Sequence, residues 1–438
     1  MNEVTTSYPL PWKWHRLAHV CRTRRDIIFA SSCRLDLELL CTYGTPVRKN
    51  LGHLPTLPLV IHFPDSHENS DEDNITAALE RSNRVHVLNL TVSYSLLGKM
   101  ATVTEPFPAL TYLCLESETA EPMPDLPDAF LGGNTPRLQR IFLNGIPYLA
   151  APTLLSSARD LVSINVHGIL PDNGYISLEE MVASLSLLPR LKYLSFGFQC
   201  GTSYPRRIRR PPILAPISRV VLPSLTTFIF DGLFKFLEEF VSQIDTPQLK
   251  CLKVYYWGEH EGGDFQIPQL RKFINRSEIF NQHQFKCADL DVEDYTVSTV
   301  LDGRQRFKLC ILDEWIIEML GQISGILSNV DRLRIWSRFP GLLGTNYDEL
   351  GDRIRWVELL RSFAAVKALS VEDTLWSLLR HVALAFKSVT EESTAGVLPA
   401  LELLCLENEE VTLVKDFIAA RWNLGRLVTF INNMSEFE

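Results

Sequence analysis

Three carboxylates recur at every second residue in the segment ADLDVEDY, at Asp289, Asp291 and Glu293. In an extended strand, every second side chain lies on the same face, so these acids would form one row. Such a row could bind a divalent cation or act as a pair of acid and base. The alternation favours a simpler interpretation, in which Leu290 and Val292 point into the core and the acids cover the solvent face.

The sequence contains no other catalytic signature of a known kind. The Gly98-Lys99 pair lacks the preceding glycine of a phosphate-binding loop, and neither a Gly-x-Ser-x-Gly turn nor a His-Glu-x-x-His motif occurs. The nine cysteines form no CxxC pair and no cluster with histidine at zinc spacing. We therefore expect no cofactor and no metal centre, and we expect that the protein is not an enzyme.

A repeated apolar pattern predicts the elements that would position binding residues. Each copy of the pattern consists of an apolar residue, two variable residues, an apolar residue, one variable residue and a further apolar residue. This pattern is typical of a short strand. Clean copies begin at Val85, Leu110, Leu138, Leu161, Leu191, Leu225 and Leu249, and less regular ones at Phe285, Val330, Val366 and Leu401. The spacing of the first copies is that of leucine-rich repeats, and it lengthens toward the C-terminus.

Segments with helical spacing, such as Ser177 to Leu188 and Phe234 to Ile244, lie between the predicted strands. One strand and one helix cannot bury the strand face alone, so neighbouring units must stack. We predict an α/β fold, a leucine-rich-repeat-like solenoid with parallel strands on its concave side and helices or irregular segments on its convex side. A doubly wound α/β sheet is the alternative, although no glycine-rich phosphate loop follows a strand.

If the strands stack in this way, the variable residues between the inward apolar ones face the concave side. Aromatic residues and arginines dominate binding energies at protein interfaces, and several occur at these positions. The predicted partner-binding residues are Tyr112, Arg140, Phe142, Asn165, His167, Tyr193, Asp231, Lys253, Tyr255, Asp289, Asp291, Arg332, Arg334, Trp336 and Glu372.

The charge balance argues against a nucleic-acid-binding surface, because 52 acidic residues outnumber 43 basic ones and the net charge is −9. The basic stretch from Arg206 to Arg210 is bracketed by prolines and is interpreted as a solvated loop. The sequence has no uninterrupted apolar run of the length, about 18 residues, that spans a membrane. We expect a soluble intracellular protein of the cytoplasm or nucleus, with free thiols and neither a nucleic acid nor a membrane as partner.

The chain opens with an arginine-rich amphipathic segment that suits two short helices. WHRLAHVCRTRRDIIFASSCRLDLELLCTYGTPVRKNL, starting at Trp14, resembles the F-box-like segment of a large group of basidiomycete fungal proteins with leucine-rich repeats. The ending LPALELLCLENEEVTLVKDFIAARW is similar to the C-terminal end of that group. The resemblance implies three parts: a truncated F-box-like helical segment at 1–40, a connecting segment with an acidic loop at 41–83, and an irregular repeat array at 84–438.

That resemblance also implies a function. The protein would be the substrate-recognition subunit of a cullin-type, SCF-like ubiquitin ligase, with an unknown target protein on its repeats and a Skp-family adaptor at its N-terminus. A helix face enters a groove of the adaptor, and apolar side chains anchor it. The implied adaptor-binding residues are Trp14, Leu17, Val20, Cys21, Ile27 and Ile28.

Two departures from the group favour a second function. The residues from Met1 to Pro11 are too few for the Leu-Pro and first helix that members carry, and Arg24 stands where a tryptophan is usual. The alternative is therefore a protein-binding repeat scaffold with a degenerate F-box and no ligase connection, in which the opening segment caps the array.

Overall fold

The computed structural model divides into two compact units, Met1–Arg209 and Arg210–Glu438, and each is described separately. The residues that the structure describes are 21–23, 26, 36–53, 56–62, 71–118, 123, 126–127, 129–146, 152–169, 178–198, 219–256, 266–277, 287–293, 296–302, 306–312, 321–323, 327, 329–337, 357–373, 397–406, 411–423 and 425–431.

The first unit is built on seven strands that pair in chain order, each parallel to the next. The α/β class and the parallel sheet predicted from the repeat are confirmed. The strands are β1 (Leu37–Leu40), β2 (Leu59–His62), β3 (Val85–Val92), β4 (Tyr112–Ser117), β5 (Arg140–Asn144), β6 (Ser163–Ile169) and β7 (Tyr193–Phe198). β1 lies inside the segment assigned to helices, and β2 lies in the connecting segment, within LPTLPLVIHF, and pairs with β3.

Short helices connect these strands, as parallel pairing requires. They are α1 (Val47–His53), α2 (Glu72–Leu79), α3 (Tyr94–Ala101), α4 (Pro152–Ser157) and α5 (Leu178–Ser186), with single 3₁₀ turns at Ser82–Arg84 and Phe130–Gly133. Side chains cap two of them: Asp71 accepts from the backbone N–H groups of Asp73 and Asn74, and Ser93 accepts from that of Leu96.

The core of the first unit consists of aligned rows of apolar side chains. Parallel pairing without a register shift brings every second residue of each strand next to its counterpart on the neighbouring strand. The rows are Leu88, Leu113, Ile141, Ile164 and Leu194, and then Leu90, Leu115, Leu143, Val166 and Phe196, all of them buried. Full burial of each such side chain contributes roughly 1.5 to 3 kcal/mol, so these rows contribute substantially to the unit's stability.

Two glycines allow the turn after β5 to stack closely on the irregular end of β6. Gly145 and Gly168 have φ angles of 68° and 66°, in the left-handed region that side chains with a Cβ rarely adopt. A Cβ atom on Gly168 would lie 2.7 Å from the backbone nitrogen of Gly145 and 2.9 Å from Oδ1 of Asn144. Position 168, at the register shift near the end of β6, is therefore restricted to glycine by both conformation and space.

We expect Gly168→Ala to reduce the free energy of unfolding by about 2 kcal/mol, because it combines left-handed strain with a backbone clash. Gly98→Ala is the matched control, since Gly98 lies within α3 and a Cβ there would meet no atom within 4 Å. Alanine at that helical position should raise stability by roughly 0.5 to 1 kcal/mol. Urea unfolding followed by circular dichroism measures both, and equal effects at the two positions would contradict the stacked-turn geometry.

The second unit holds eleven strands and, besides short helical stretches such as 357–361, three helices in its described parts. The strands are β8 (Val220–Val221), β9 (Thr227–Gly232), β10 (Ile244–Asp245), β11 (Cys251–Tyr256), β12 (Cys287–Glu293), β13 (Thr296–Asp302), β14 (Arg306–Leu312), β15 (Arg332–Ser337), β16 (Ala368–Asp373), β17 (Leu403–Leu406) and β18 (Thr429–Ile431). The helices are α6 (Phe234–Gln243), α7 (Pro268–Arg276) and α8 (Val411–Asn423). No helix in the described ranges combines the length and the apolar character needed to cross a bilayer.

The order of strands in this unit differs from the sequence expectation. The repeat pattern placed the strand at Phe285 directly after the one at Leu249, but β11 instead pairs in parallel with β14. β13 then pairs antiparallel with both β14 and β12, and β12 pairs in parallel with β15. The physical reason is that only two residues separate β12 from β13, which permits an antiparallel return but no parallel crossover. The remaining strands from β15 to β18 pair in parallel and in chain order.

Polar side chains connect successive helices of the second unit. Glu238 on α6 accepts the backbone N–H groups of Gln269 and Leu270 at the start of α7, at 2.8 and 2.7 Å. Arg276, at the end of α7, donates to the carbonyl oxygens of Val241 and Ile244 at 3.1 Å each. The helix ends, which leave backbone groups without partners within the helix, are thus satisfied by the neighbouring repeat.

A buried arginine makes the same kind of connection at the end of the chain. Arg421 on α8 is 1% exposed, and its guanidinium donates to the carbonyl oxygens of Leu398 and Leu401 at 2.9 Å and of Pro399 at 3.3 Å. Leu398 has a φ of 46°, in the left-handed region. The guanidinium carbon lies 5.7 Å from the centre of the Phe417 ring. Arg421 therefore helps to hold a strained turn in place before β17.

Candidate protein-binding face

The second face of the sheet in the first unit carries polar and aromatic side chains in register. Between the buried rows, the strands β4 to β7 place eleven residues side by side, which we call the open face. Its rows are Tyr112, Arg140, Ser163 and Tyr193, then Cys114, Phe142, Asn165 and Ser195, then Glu116, Asn144 and His167. Most of these are half-buried, whereas Arg140 and Asn144 are exposed. The face is wide enough to contact a partner along several strands.

The structure brings together all six of the partner-binding residues predicted in this unit. Tyr112, Arg140 and Tyr193 share the first row. Phe142 and Asn165 are neighbours in the second row, and His167 follows in the third. The same alternation along each strand could have identified the face residues that the prediction missed. Each of those lies an even number of residues from a predicted residue on the same strand. The missed residues of this face are Cys114, Glu116, Asn144, Ser163 and Ser195.

The centre of the open face is ordered by contacts among its own side chains. The rings of Phe142 and His167 lie 6.3 Å apart and are tilted by 43°. Nε2 of His167 is 3.5 Å from Oγ of Ser195, which is 1% exposed. A Cβ atom on Gly197 would lie only 2.2 Å from Nδ1 of His167, so the missing side chain of this glycine makes room for the imidazole.

Two polar groups near Phe142 have weak or absent partners. Oδ1 of Asn165 is buried, and no hydrogen-bond donor reaches it among the described residues. The carboxylate of Glu116 lies 3.8 Å from Sγ of Cys114, a long contact with a weak donor. Burial, with a contribution from Glu116, raises the pKa of Cys114 to about 12, so this thiol is neutral at physiological pH and is a poor nucleophile.

His167 should make stability depend on pH. Burial lowers the pKa of His167 below its ordinary value of 6.5, so the folded protein binds a proton less readily than the unfolded chain. The free energy of unfolding should therefore fall as the pH decreases through about 6.5 toward the folded pKa. His167→Gln should remove this part of the acid dependence. Urea unfolding at about pH 7.5 and 5.5 measures it, and an unchanged difference between the two pH values in the variant would contradict this assignment.

The predicted binding residues of the second unit form two further groups. Asp231 and Tyr255 are register partners on β9 and β11, Lys253 stands opposite Ile229, and all three predicted residues are half-buried. On β15, Arg332 is exposed and Arg334 is half-buried. The structure describes only the backbone at Asp289, Asp291, Trp336 and Glu372.

The carboxylate row of ADLDVEDY lies on β12, as expected for a strand. Asp289 pairs in register with Arg334 on β15, and Asp291 pairs with Trp336. The alternating acids thus run beside a strand with two arginines. Within the part of the chain that the structure describes, no three His, Cys, Asp or Glu residues are placed to hold a metal ion.

Most of the implied adaptor-binding residues lie outside the described residues. They are Trp14, Leu17, Val20, Ile27 and Ile28. Cys21 is described and is exposed, and Arg22 and Thr23 beside it have helical conformation. The adaptor-binding role of this segment stays a prediction.

A polar cleft of about 390 Å³ lies beside α2 and α3, lined in part by Tyr43, Glu72, Lys99 and Glu118. The Glu72 carboxylate there accepts from Ser93 at 2.6 Å and from Lys99 at 2.9 Å. Burial opposes ionisation of Glu72, but these hydrogen bonds and the Lys99 charge outweigh it and lower its pKa. The carboxylate is thus already engaged in joining the two helices, and we assign it a structural role.

Among the comparisons with known proteins, only the comparison with solved structures gives matches. No family model matches the chain, and no curated protein matches it. A crystal structure of a Bacteroides fragilis protein, solved as a structural-genomics target, is 13% identical with a TM-score of 0.29, covering 83% of this chain and 78% of that one. The crystal structure of a TLR13–ssRNA13 complex is 12% identical with a TM-score of 0.32, covering 88% of this chain and 58% of that one.

Proposed function

We propose that the protein is a non-catalytic receptor that holds a target protein against the open face. The observation that carries this proposal is the register of β4 to β7, which gathers tyrosine, phenylalanine, histidine and arginine side chains on one face of the sheet. Tyrosine and arginine are enriched at the residues that dominate protein interfaces. A leucine-rich-repeat-like solenoid would extend such a face along the whole chain, as the repeated strand pattern indicates.

The chemistry of the open face favours binding over catalysis. Cys114 is a neutral thiol, and Oγ of Ser195 is buried beneath its neighbours. His167 lies 3.5 Å from that hydroxyl, which is longer than an activating hydrogen bond. No side chain of this group is therefore arranged as an activated nucleophile, whereas aromatic and amide groups can contact a protein surface.

We further propose that the receptor serves as the substrate-recognition subunit of a cullin-type, SCF-like ubiquitin ligase in the cytoplasm or nucleus. This part is supported by the resemblance of the segment beginning at Trp14 to an F-box-like segment. The apolar side chains of Leu17 and Ile27 would anchor it in a Skp-family adaptor, and the arginines beside them would steer an acidic partner.

Co-purification with a Skp-family adaptor tests the ligase connection. We expect the full chain to retain the adaptor at micromolar concentration. The double variant Leu17→Asp, Ile27→Asp should weaken retention at least about tenfold, because charges would enter an apolar groove. Phe142→Ala is the matched control and should retain the adaptor normally. A folded wild-type chain that fails to retain the adaptor would contradict the ligase role.

The second candidate function is a protein-binding repeat scaffold with no ligase connection. The specific observation in its favour is Arg24, which stands where the related F-box-like segments carry a tryptophan that packs within the motif. Under this alternative the adaptor is not retained, but the open face still binds its target. The same co-purification therefore separates the two functions.

A further inference from the structure

Acceptor groups lie near Phe142 on the open face. Phe142 is half-buried, so part of its ring is accessible. Its register neighbours are Cys114 on β4 and Asn165 on β6, and Glu116 and Asn144 occupy the following row. Neighbouring strands lie about 4.8 Å apart, so the carboxylate and the amide are within reach of a group placed over the ring. An aromatic face beside a carboxylate attracts cations.

The acceptors around Phe142 are not matched by donors. Oδ1 of Asn165 finds no donor among the described residues, and Glu116 contacts a thiol at 3.8 Å. The Asn165 residue is half-buried overall, and a rotation of its amide on binding would present the oxygen to a bound group. His167 on the other side of Phe142 has a lowered pKa because of burial and adds no positive charge at neutral pH. A bound group with several N–H donors would supply what these acceptors lack.

The open face is also polarised along its strands. Arg140 is exposed in the row that contains Tyr112 and Tyr193, whereas Glu116 lies in the row at the opposite end. The two charges are four residues apart in register, which is about 13 Å along a strand. Phe142 lies in the row midway between them, so a cation over its ring would have Glu116 toward one end of the strands and Arg140 toward the other.

We infer that the open face takes an extended segment of a partner protein that carries a basic side chain, arginine or lysine, over Phe142 between Glu116 and Asn165. This inference rests on the proposed binding function and names the chemistry of the target. Arginine suits the position best, because its planar guanidinium stacks on an aromatic ring while its edge donates to carboxylate and amide oxygens. The acidic net charge of the chain, −9, favours approach of such a segment.

Selection from a random library of displayed 12-residue peptides tests the inference with the full chain as bait. We expect the selected peptides to share an arginine or lysine. Replacing that arginine by citrulline, which has the same shape without the charge, should weaken binding at least about tenfold. Phe142→Leu and Glu116→Gln should each weaken the arginine peptide at least about fivefold and leave the citrulline peptide unchanged.

Glu105→Gln is the matched control, because it removes an exposed carboxylate from the turn before β4 and should leave both affinities unchanged. Circular dichroism verifies that each variant is folded. Peptides that bind without a basic residue, or that are insensitive to Phe142→Leu and Glu116→Gln, would overturn the inference while the receptor function stands. A folded chain that selects no peptide would overturn the extended-segment inference, and the adaptor and target experiments would then decide the function independently.

Discussion

Replacing Arg421 by leucine is expected to destabilise the C-terminal strands by about 3 kcal/mol, although leucine suits a buried position. The variant removes the guanidinium donors that the carbonyl oxygens of Leu398, Pro399 and Leu401 have in the folded protein. A buried carbonyl that loses its partner costs about 1 to 3 kcal/mol, and removing the desolvated charge recovers part of that cost. The left-handed backbone at Leu398 adds to the effect, because the guanidinium helps to hold that strained turn.

Hydrogen exchange measures this effect locally in β17 and β18. A loss of about 3 kcal/mol corresponds to amide exchange about a hundredfold faster for residues that exchange through opening of this region. Arg421→Lys should lie between the wild type and Arg421→Leu, because lysine keeps a charge and fewer donors. Arg361→Leu removes an exposed arginine from the same unit and should change stability by less than about 0.5 kcal/mol. Equal exchange in Arg361→Leu and Arg421→Leu would show that the three carbonyl contacts are unimportant.

The strands themselves could be predicted from sequence because their signal is local. In β4, β5 and β6 the apolar residues alternate with polar ones, and each strand follows a turn that contains proline or a helix end. Alternation fixes which residues share a face, so the open-face positions Tyr112, Phe142 and Asn165 followed directly. To predict how neighbouring strands align, it was then enough to assume that successive strand-and-helix units stack.

The order of strands around β13 could not be predicted in the same way. The sequence TVSTVLD of β13 is rich in β-branched residues, yet it lacks the repeat pattern, and the segment before it has the pattern without being adjacent to β11. Which strand lies beside β11 depends on contacts between residues distant in the chain. Local periodicity carries no information about such contacts.

The details of the candidate site also exceed what sequence patterns contain. The room for the His167 ring depends on Gly197 of the next strand, and the missing donor to Asn165 depends on all neighbouring side chains. Arg421 is similar, because a buried arginine within an amphipathic helix has the same sequence signature as an exposed one.

The largest effect on function is expected from the double variant Tyr112→Ala, Tyr193→Ala, which removes the two aromatic side chains of the first open-face row. Truncation of an interface hot spot costs about 2 kcal/mol or more, so the pair should weaken target binding at least about a hundredfold. Tyr43 and Tyr94, which are 74% and 66% exposed and are not among the open-face residues, provide the matched control pair. Their double alanine variant should bind the target as the wild type does, as measured by titration calorimetry with the isolated target.

Photocrosslinking is the most direct measurement of whether the target lies on the open face. A benzophenone amino acid is introduced either at Phe142 or, as an aromatic and equally reactive control, at Tyr94 on α3. We expect a covalent adduct from position 142 with the same protein whose binding the Tyr112→Ala, Tyr193→Ala variant loses, and no such adduct from position 94. An adduct with that protein from position 94 and none from position 142 would contradict the account.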